Sequence, residues 1–545
     1  LHIGLEILKT RCTMRAMSTQ NENQKSLKDI DQHWDLIVIG GGITGAGVLR
    51  EAGRMGLKTL LVEQKDFAWG TSSRSAKLAH GGLRYLKEGK FLLTRESVIG
   101  RERLLKEAPG LVEPLEFLMP LYSGRGPGKW AMRIGLTVYD LMAGKKRHNF
   151  RSAEQVTALV PGIKKDGLIG GFRFVDAQVD DARLVLRLIR ESIRSGACAL
   201  NYTSVAQVMR DARNRVVGAV LEDTETHETR EVSARAVINA TGAWAERLHS
   251  SPEPGKHLRP LRGSHLVFPA AVLPFDRAVA LTHPTDRRPV YVLPWEGAVL
   301  FGTTDVDHSQ DISHEPAITS EEAAYLMHAL EVFFPSLRIS LADCLSTFAG
   351  IRAVLSEGKR APSQESREHV VWVDNGLVTI TGGKLTTFYR LAWDALAAAK
   401  PFLRDASAEP SKGPLFMPAP ETIPGSEGLP RQIKTRLFGR YGMDTLELLQ
   451  IAHPNDLQPI PGTHTLWAEL PFAARFEQVR HLSDLLLRRV RIGLLTPHGG
   501  RDILERIRAL CEPALPWVTT QWEQESKDYQ EHWDRAYGAP PETER

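Results

Sequence analysis

Two stretches of this 545-residue chain gather the residue types that bind phosphate. The first reads "DLIVIGGGITGAGVLREAGRMGLKTLLVEQ", from Asp35 to Gln64. A short apolar run meets Gly40, Gly42 and Gly45, a helical pattern follows, and a second apolar run ends at Glu63. In that setting Gly40 makes a tight turn, Gly42 lets a pyrophosphate approach the backbone, and Gly45 lets the helix pack close. The helix N-terminus then faces the phosphate charge, and Glu63 accepts from ribose hydroxyls. This is the chemistry of an adenine dinucleotide, NAD and FAD alike. The second stretch, "SSRSAKLAHGGLRYLK", carries Arg74, Lys77, His80, Arg84 and Lys87 around Gly81 and Gly82. No acid occurs between Asp66 and Glu88. A solvated helix would mix the signs, so the stretch reads as a contact for something anionic or as a basic surface loop.

The strand, helix and strand that position these residues belong to a chain of ordinary globular composition, 42% hydrophobic and 25% charged. Its length admits two to four domains. A net charge of +4 suits anionic metabolites or lipid head groups and gives no footprint for nucleic acid. Cys12, Cys198, Cys344 and Cys511 form no C-x-x-C pair, which argues against a disulfide framework, a zinc site or an iron–sulfur cluster and predicts no metal. No apolar stretch approaches the roughly 20 residues of a membrane-spanning helix. Residues 1–33 are polar and aperiodic and are expected to be disordered, with Met14 or Met17 a candidate start.

Further along, a strand at residues 236–238 precedes Ala240, Thr241 and Gly242, and a helix is predicted from about Asp181, then a strand running into Val205. Near the end of this body a turn at Asp374, Asn375 and Gly376 joins two strands, and Gly382, Gly383 and Lys384 open a helix. Residues 401–430 read as a proline-rich linker, six prolines falling in 409–430. Residues 431–545 show helical spacing, with Trp517, Trp522 and Trp533 expected to pack the last helices and "GAPPETER" to fray.

The segments "TSSRSAKLAHGGLRYL", "VDDARL", "NATGAW", "RGSH", "GTTD", "AGIR" and "TGGKLTTFYRLA" occur in that order. Together they resemble the FAD-dependent glycerol-3-phosphate dehydrogenases of the aerobic, respiratory type, over about Trp34 to Ala392. The resemblance implies an α/β fold: a Rossmann-like FAD-binding domain of the D-amino-acid-oxidase kind, spanning 34–400. A β-rich substrate domain is inserted at about 116–170 and 251–345, and a helical C-terminal cap follows. It also implies roles. Thr71, Ser72, Ser73 and Lys77 would lie along the flavin and its pyrophosphate, and His80, Gly81 and Gly82 beside the isoalloxazine ring. Val205, Thr241, Gly242, Gly383, Leu385 and Thr386 would complete the cofactor contacts. Arg84 and Tyr85 would turn toward substrate, with Arg367 and Lys384 as candidates for its phosphate. His265 is the preferred general base, Arg352 would stabilise a developing alkoxide, and Lys384 with the amides after it would stabilise charge on the reduced flavin. The chain departs from the pattern at Arg262, where relatives often have lysine, and at Ala79, where a larger apolar residue is common.

The implied reaction oxidises sn-glycerol 3-phosphate at C2 to dihydroxyacetone phosphate, with hydride transfer to the flavin and electrons passed to a membrane quinone. The protein would then be cytoplasmic and sit on the membrane surface. The segment "GKWAMRIGLTVYDLMAGKKRHNF" combines apolar and basic residues at helical spacing as a candidate contact. A homodimer is admitted. The competing readings are an oxidase that uses O2, a flavoenzyme of the same fold acting on an amine or amino acid, and a scaffold without catalysis.

Overall fold

Residues 36–39 and 60–62 are apolar without alternation, as a strand covered on both faces requires, and all are buried at the centre of the first of two sheets. The computed structural model describes residues 26–124, 128–248, 257–356, 368–403, 413–418 and 422–541. Strand β1 (His33–Ile39) pairs in parallel with β2 (Thr59–Val62) on one side and with Thr229–Asn239 on the other. Cys198–Leu200 extends the sheet beyond β2, and the hairpin His369–Asp374 and Leu377–Gly382 extends it beyond Thr229–Asn239. Helix α1 (Ile43–Arg54) joins β1 to β2 and packs with Asp181–Arg194 and Phe388–Ala399 over one apolar core.

Among the described residues the second sheet has nine strands and takes its residues from 112–179 and 257–356. The chain therefore leaves the first sheet twice to build the second. Its last strand, Ser346–Ser356, pairs along almost the whole of His257–Pro269, so the insertion reaches beyond the boundary expected at 345.

Three expectations need correction. Residues 26–33 are ordered rather than disordered: Ser26 and Asp29 cap a short turn, and Leu27 and Ile30 are buried against the first sheet. Residues 1–25 lie outside the described residues. Part of the expected linker is anchored, because Leu415 and Phe416 are buried in the core around α1 and Arg103 donates to the Gly413 carbonyl at 2.6 Å. The single strand expected to run into Val205 is broken at Asn201 and Tyr202. There Tyr202 takes a φ of +50° and its N–H bonds the Lys65 carbonyl at 2.8 Å; a new strand, Thr203–Arg210, starts beyond.

The C-terminal helices share one core with the second sheet, in which Trp295 and Phe348 meet Trp467, Trp522 and Trp533. Trp517 and Trp522 meet edge to face at 4.7 Å. The start of the tail expected to fray is held: Thr347 donates its N–H to the Tyr537 carbonyl at 2.7 Å and Ser320 its hydroxyl to the Pro541 carbonyl at 3.1 Å.

Buried arginines also join this region to the domain of the first sheet. Arg488 and Arg489 both bond Asp66 at 2.5 Å, and Arg491 donates to the Ser73 carbonyl at 2.7 Å. Arg440 bonds Asp180 at 2.7 Å, and Arg183 pairs with Glu477. All of these side chains are buried.

Candidate active site

The glycine loop sits where β1 meets α1. Gly40 has a φ of +110°, and a Cβ there would lie 2.7 Å from the Ala240 carbonyl oxygen. A Cβ at Gly45 would lie 1.8 Å from the carbonyl oxygen of Gly40, so only glycine permits this turn. Gly42 is the N-terminal cap of α1, and beside it Ser72 accepts the Ile43 N–H at 3.0 Å. Glu63, at the end of β2, accepts from the N–H groups of Gly41 at 2.7 Å and Lys65 at 3.0 Å, and burial raises its carboxyl above the usual range. Val205 lies two residues beyond Thr203, whose N–H bonds the Glu63 carbonyl.

At the next strand end Thr241 bonds the Asn239 side chain at 2.7 Å, and Gly242 turns with a φ of +61°. Gly382 and Gly383 turn likewise and lead to Leu385 and Thr386. The buried Thr386 hydroxyl has no hydrogen-bond partner among the described residues. A tight glycine loop, an acid at the second strand and an orphaned buried hydroxyl fit an adenine dinucleotide laid across these strand ends. A Gly45→Ala protein is expected to purify with roughly a tenth or less of the wild-type flavin, because overpacking against backbone oxygen costs about 1–3 kcal/mol. Visible absorbance per mole of protein checks this.

The basic stretch finds most of its anions within the protein. Arg74 pairs with Glu315 at 2.5 Å, and Lys77 pairs with Asp181 at 2.9 Å and donates to the Ser73 carbonyl. Burial and the nearby Arg491 push the Lys77 ammonium down to about 7. The ammonium of Lys77, expected along the pyrophosphate, is paired with Asp181 in this structure. Thr71 donates to the Ile351 carbonyl, and Ser73 is buried with its hydroxyl toward Gly70. Arg84 makes a half-exposed pairing with Glu88 at 3.4 Å.

Past His80 and Gly81, Gly82 adopts a φ of +80° and starts the short helix Leu83–Lys87. That helix brings Arg84 and Tyr85 together, and the Lys384 ammonium lies 3.6 Å from the Tyr85 ring centroid while bonding Ser97 at 3.0 Å.

His265 is buried and stacks on Phe348 with ring centroids 4.7 Å apart. Neither ring nitrogen has a hydrogen-bond partner among the described residues. Burial, then Arg352, then Lys77 hold the imidazole well below its ordinary value, so it is neutral at physiological pH. Its ring occupies the space that a side chain at Gly302, its cross-strand partner, would fill. Arg352 donates to Asp305 at 2.9 Å and to the Thr303 hydroxyl at 3.0 Å. Arg262 is used structurally, bonding Glu322 at 2.9 Å.

Tyr291, which sequence reasoning missed, stands opposite Gly302 on the next strand. Burial raises its hydroxyl above the ordinary range, against the opposing charge of Arg84. Arg367 lies outside the described residues. No cluster of histidine, cysteine and acids suited to a metal occurs among the described residues.

The FAD dependent oxidoreductase family matches residues 35–389, and the C-terminal domain of alpha-glycerophosphate oxidase matches residues 380–522. An aerobic glycerol-3-phosphate dehydrogenase of Bacillus subtilis is 39% identical over 380 residues, covering 68% of each chain. Glycerol-3-phosphate dehydrogenase 2 of Mycobacterium bovis is 35% identical over 526 residues, covering 91% of this chain and 88% of its own. The crystal structure of a glycerol-3-phosphate dehydrogenase from Bacillus halodurans complexed with FAD superposes with a TM-score of 0.74 at 26% identity, covering 93% and 95% of the two chains. The glycine loop at β1, the strand-end turns that fit an adenine dinucleotide and these end-to-end similarities agree: the chain is an oxidoreductase that belongs to the FAD-dependent glycerol-3-phosphate dehydrogenases.

Proposed function

We propose that this protein oxidises the C2 alcohol of sn-glycerol 3-phosphate to the ketone of dihydroxyacetone phosphate and delivers the electrons to a membrane quinone. The observations that carry the reading are the grouping of Arg84, Tyr85 and Lys384, and the buried His265, its nitrogens without a partner among the described residues, in register through Gly302 with Tyr291. Gly40, Gly42, Gly45, Glu63, Ser72, Thr241, Gly242 and Gly383 would hold the dinucleotide. When bound, FAD supplies the acceptor for the hydrogen and electron pair of C2.

The protein's part is binding, orientation and proton handling. A neutral imidazole with open nitrogens can take the hydroxyl proton, and His265 is such a group. The Arg352 guanidinium, fixed by Asp305 and Thr303, places positive charge where the alkoxide develops. Arg84 and Lys384 suit the phosphate. The half-exposed Arg84–Glu88 pair is worth only a few tenths of a kcal/mol, roughly, so exchanging Glu88 for a phosphate dianion is easy.

Arg84→Ala should raise KM for glycerol 3-phosphate about thirtyfold, the equivalent of about 2 kcal/mol for a charge-assisted contact, with FAD content unchanged. Unchanged KM with depleted FAD would assign Arg84 to the cofactor instead.

No helix of the described residues is long and apolar enough to cross a membrane. Two neighbouring helices nevertheless show apolar side chains to solvent: Phe91 and Leu92 on Phe91–Glu107, and Trp130, Ile134 and Leu141 on Lys129–Ala143. The second helix already buries Leu136 and Tyr139 inward, so its outward residues form a separate apolar face beside the exposed Lys129, Arg133, Lys145 and Lys146. That combination suits the surface of an anionic bilayer, where quinone resides.

The test is anaerobic mixing of the purified protein with glycerol 3-phosphate, followed by vesicles with or without quinone, or by O2. The flavin absorbance should bleach with substrate and return faster with quinone than with O2. A flavin that stays oxidised with glycerol 3-phosphate but bleaches with an amino acid would overturn the substrate assignment. Faster return with O2 would make the protein an oxidase.

A further inference from the structure

We infer that Asp176, secured by Arg101 and Tyr139, is a positioning residue for the reaction: it fixes the turn at Gly81 and Gly82 from which Arg84 and Tyr85 project. Asp176 lies mid-strand in Leu168–Val179, opposite Leu115, in a stretch otherwise built for burial. A carboxylate there is costly unless its charge and lone pairs are met. Its partners all come from outside its own sheet. Arg101 donates to Oδ1 at 3.0 Å, Tyr139 donates to Oδ2 at 2.9 Å, and the Gly81 N–H donates to Oδ1 at 3.0 Å. Arg101 also donates to the Tyr139 hydroxyl at 2.9 Å, which closes the triangle. Burial raises the Tyr139 hydroxyl well above its ordinary value, so it stays protonated and remains a donor.

The backbone shows what this carboxylate does. Residues 77–79 run beside Leu168–Val179, with Val179 N–H bonding the Lys77 carbonyl and Ala79 N–H bonding the Ala177 carbonyl, both at 2.9 Å. Beyond Ala79 the chain must leave the strand to turn. Asp176 then reaches out with its side chain and takes the next inward N–H, that of Gly81. The other side of Gly81 is closed as well: a Cβ there would lie 2.3 Å from the Tyr139 hydroxyl and 2.7 Å from Val98. The turn is therefore held by its N–H and seated by its Cα on the same tyrosine. One residue later Gly82 starts the helix of Arg84 and Tyr85, and Tyr85 is the ring on which Lys384 rests.

Asp176 reaches the proposed phosphate-binding groups through the Gly81 N–H, one residue before the Gly82 turn that starts the helix of Arg84 and Tyr85. The inference rests on the reading that this turn carries the substrate side of the site. It also ties that side to the surface, since Arg101 and Tyr139 sit on the two helices with the exposed apolar face.

The test uses the holoenzyme and rapid mixing with glycerol 3-phosphate. Tyr139→Phe keeps the ring and the Asp176–Arg101 pair but removes one donor. It should retain FAD and melt close to wild type, while the flavin-reduction rate per bound FAD falls about tenfold and the apparent Kd for substrate rises. Asp176→Asn keeps an acceptor for Gly81 and should lie between wild type and Asp176→Ala in Kd. A Tyr139→Phe enzyme that loses activity only in proportion to lost FAD, with rate per flavin and Kd unchanged, would overturn the inference. Equal Kd values for Asp176→Asn and wild type, joined to an unchanged rate, would do the same. If wild type itself fails to bleach with glycerol 3-phosphate, the substrate reading fails, and the same variants measured with the true substrate still decide the role of Asp176.

Discussion

His265→Ala is expected to slow flavin reduction by glycerol 3-phosphate by about a hundredfold or more while leaving FAD in place. The expectation follows from three features of one side chain. The ring is buried, its nitrogens have no partner among the described residues, and it is held neutral chiefly by burial and then by the Arg352 cation. An ordinary imidazole would lose half its basic form near pH 6.5. Here the protonated form is disfavoured, so wild-type reduction should stay flat through pH 6 to 8 and decline only in more acid solution. In the alanine variant the residual rate should climb with pH, as hydroxide and pre-ionised alkoxide replace the base. Rapid-mixing kinetics across that range, run beside Arg352→Ala, separate proton removal from alkoxide stabilisation. A His265→Ala enzyme with near wild-type rate and a flat profile would remove His265 from the mechanism.

The second large effect concerns stability. Arg489→Ala should destabilise the protein by about 3–5 kcal/mol, since it removes a partner of a fully buried carboxylate. Asp66 is held by Arg488 and Arg489, with a further hydrogen bond from Asn201 at 3.0 Å, and the arginines keep its carboxyl down at about 2. Against a typical total of about 5–15 kcal/mol, that loss is a large part of the whole. The folded-state value lies below the unfolded one, so the stabilisation from Asp66 is full above about pH 4 and is lost as pH falls toward 2. Thermal melts at pH 7 and pH 3 check both points. The variant's deficit should shrink at the lower pH, and an Arg489→Ala protein melting like wild type at pH 7 would show that Arg488 alone suffices.

The glycine loop, Glu63 and the turns at Gly242 and Gly383 were readable in sequence because each is a local device whose spacing is set by backbone geometry. The partners of the basic stretch were not. Asp181 stands 104 residues from Lys77, and Glu315 lies farther still from Arg74. A stretch lacking acids can thus be neutralised by tertiary structure, while Arg84 keeps a half-exposed pairing with Glu88. Tyr291 escaped notice for a related reason: its importance comes from register with Gly302, two strands away from His265. Asp176 gave a faint local signal, a lone acid in "FRFVDAQV", whose meaning required Arg101 and Tyr139. At the N-terminus Ser26 and Asp29 form a capping box too short to register as periodicity, yet it orders residues ahead of β1.

The buried arginines near residue 489 also bear on how the protein comes into being. Ribosomes release the chain from its N-terminal end, so Asp66 emerges 422 residues before Arg488 and 423 before Arg489. Until those cations arrive, the half-made domain holds in Asp66 a carboxylate that must stay hydrated or protonated, and its loop cannot settle. A chain truncated ahead of Arg488 is therefore expected to purify with little FAD, because the domain that would hold the cofactor lacks the cations its buried carboxylate needs.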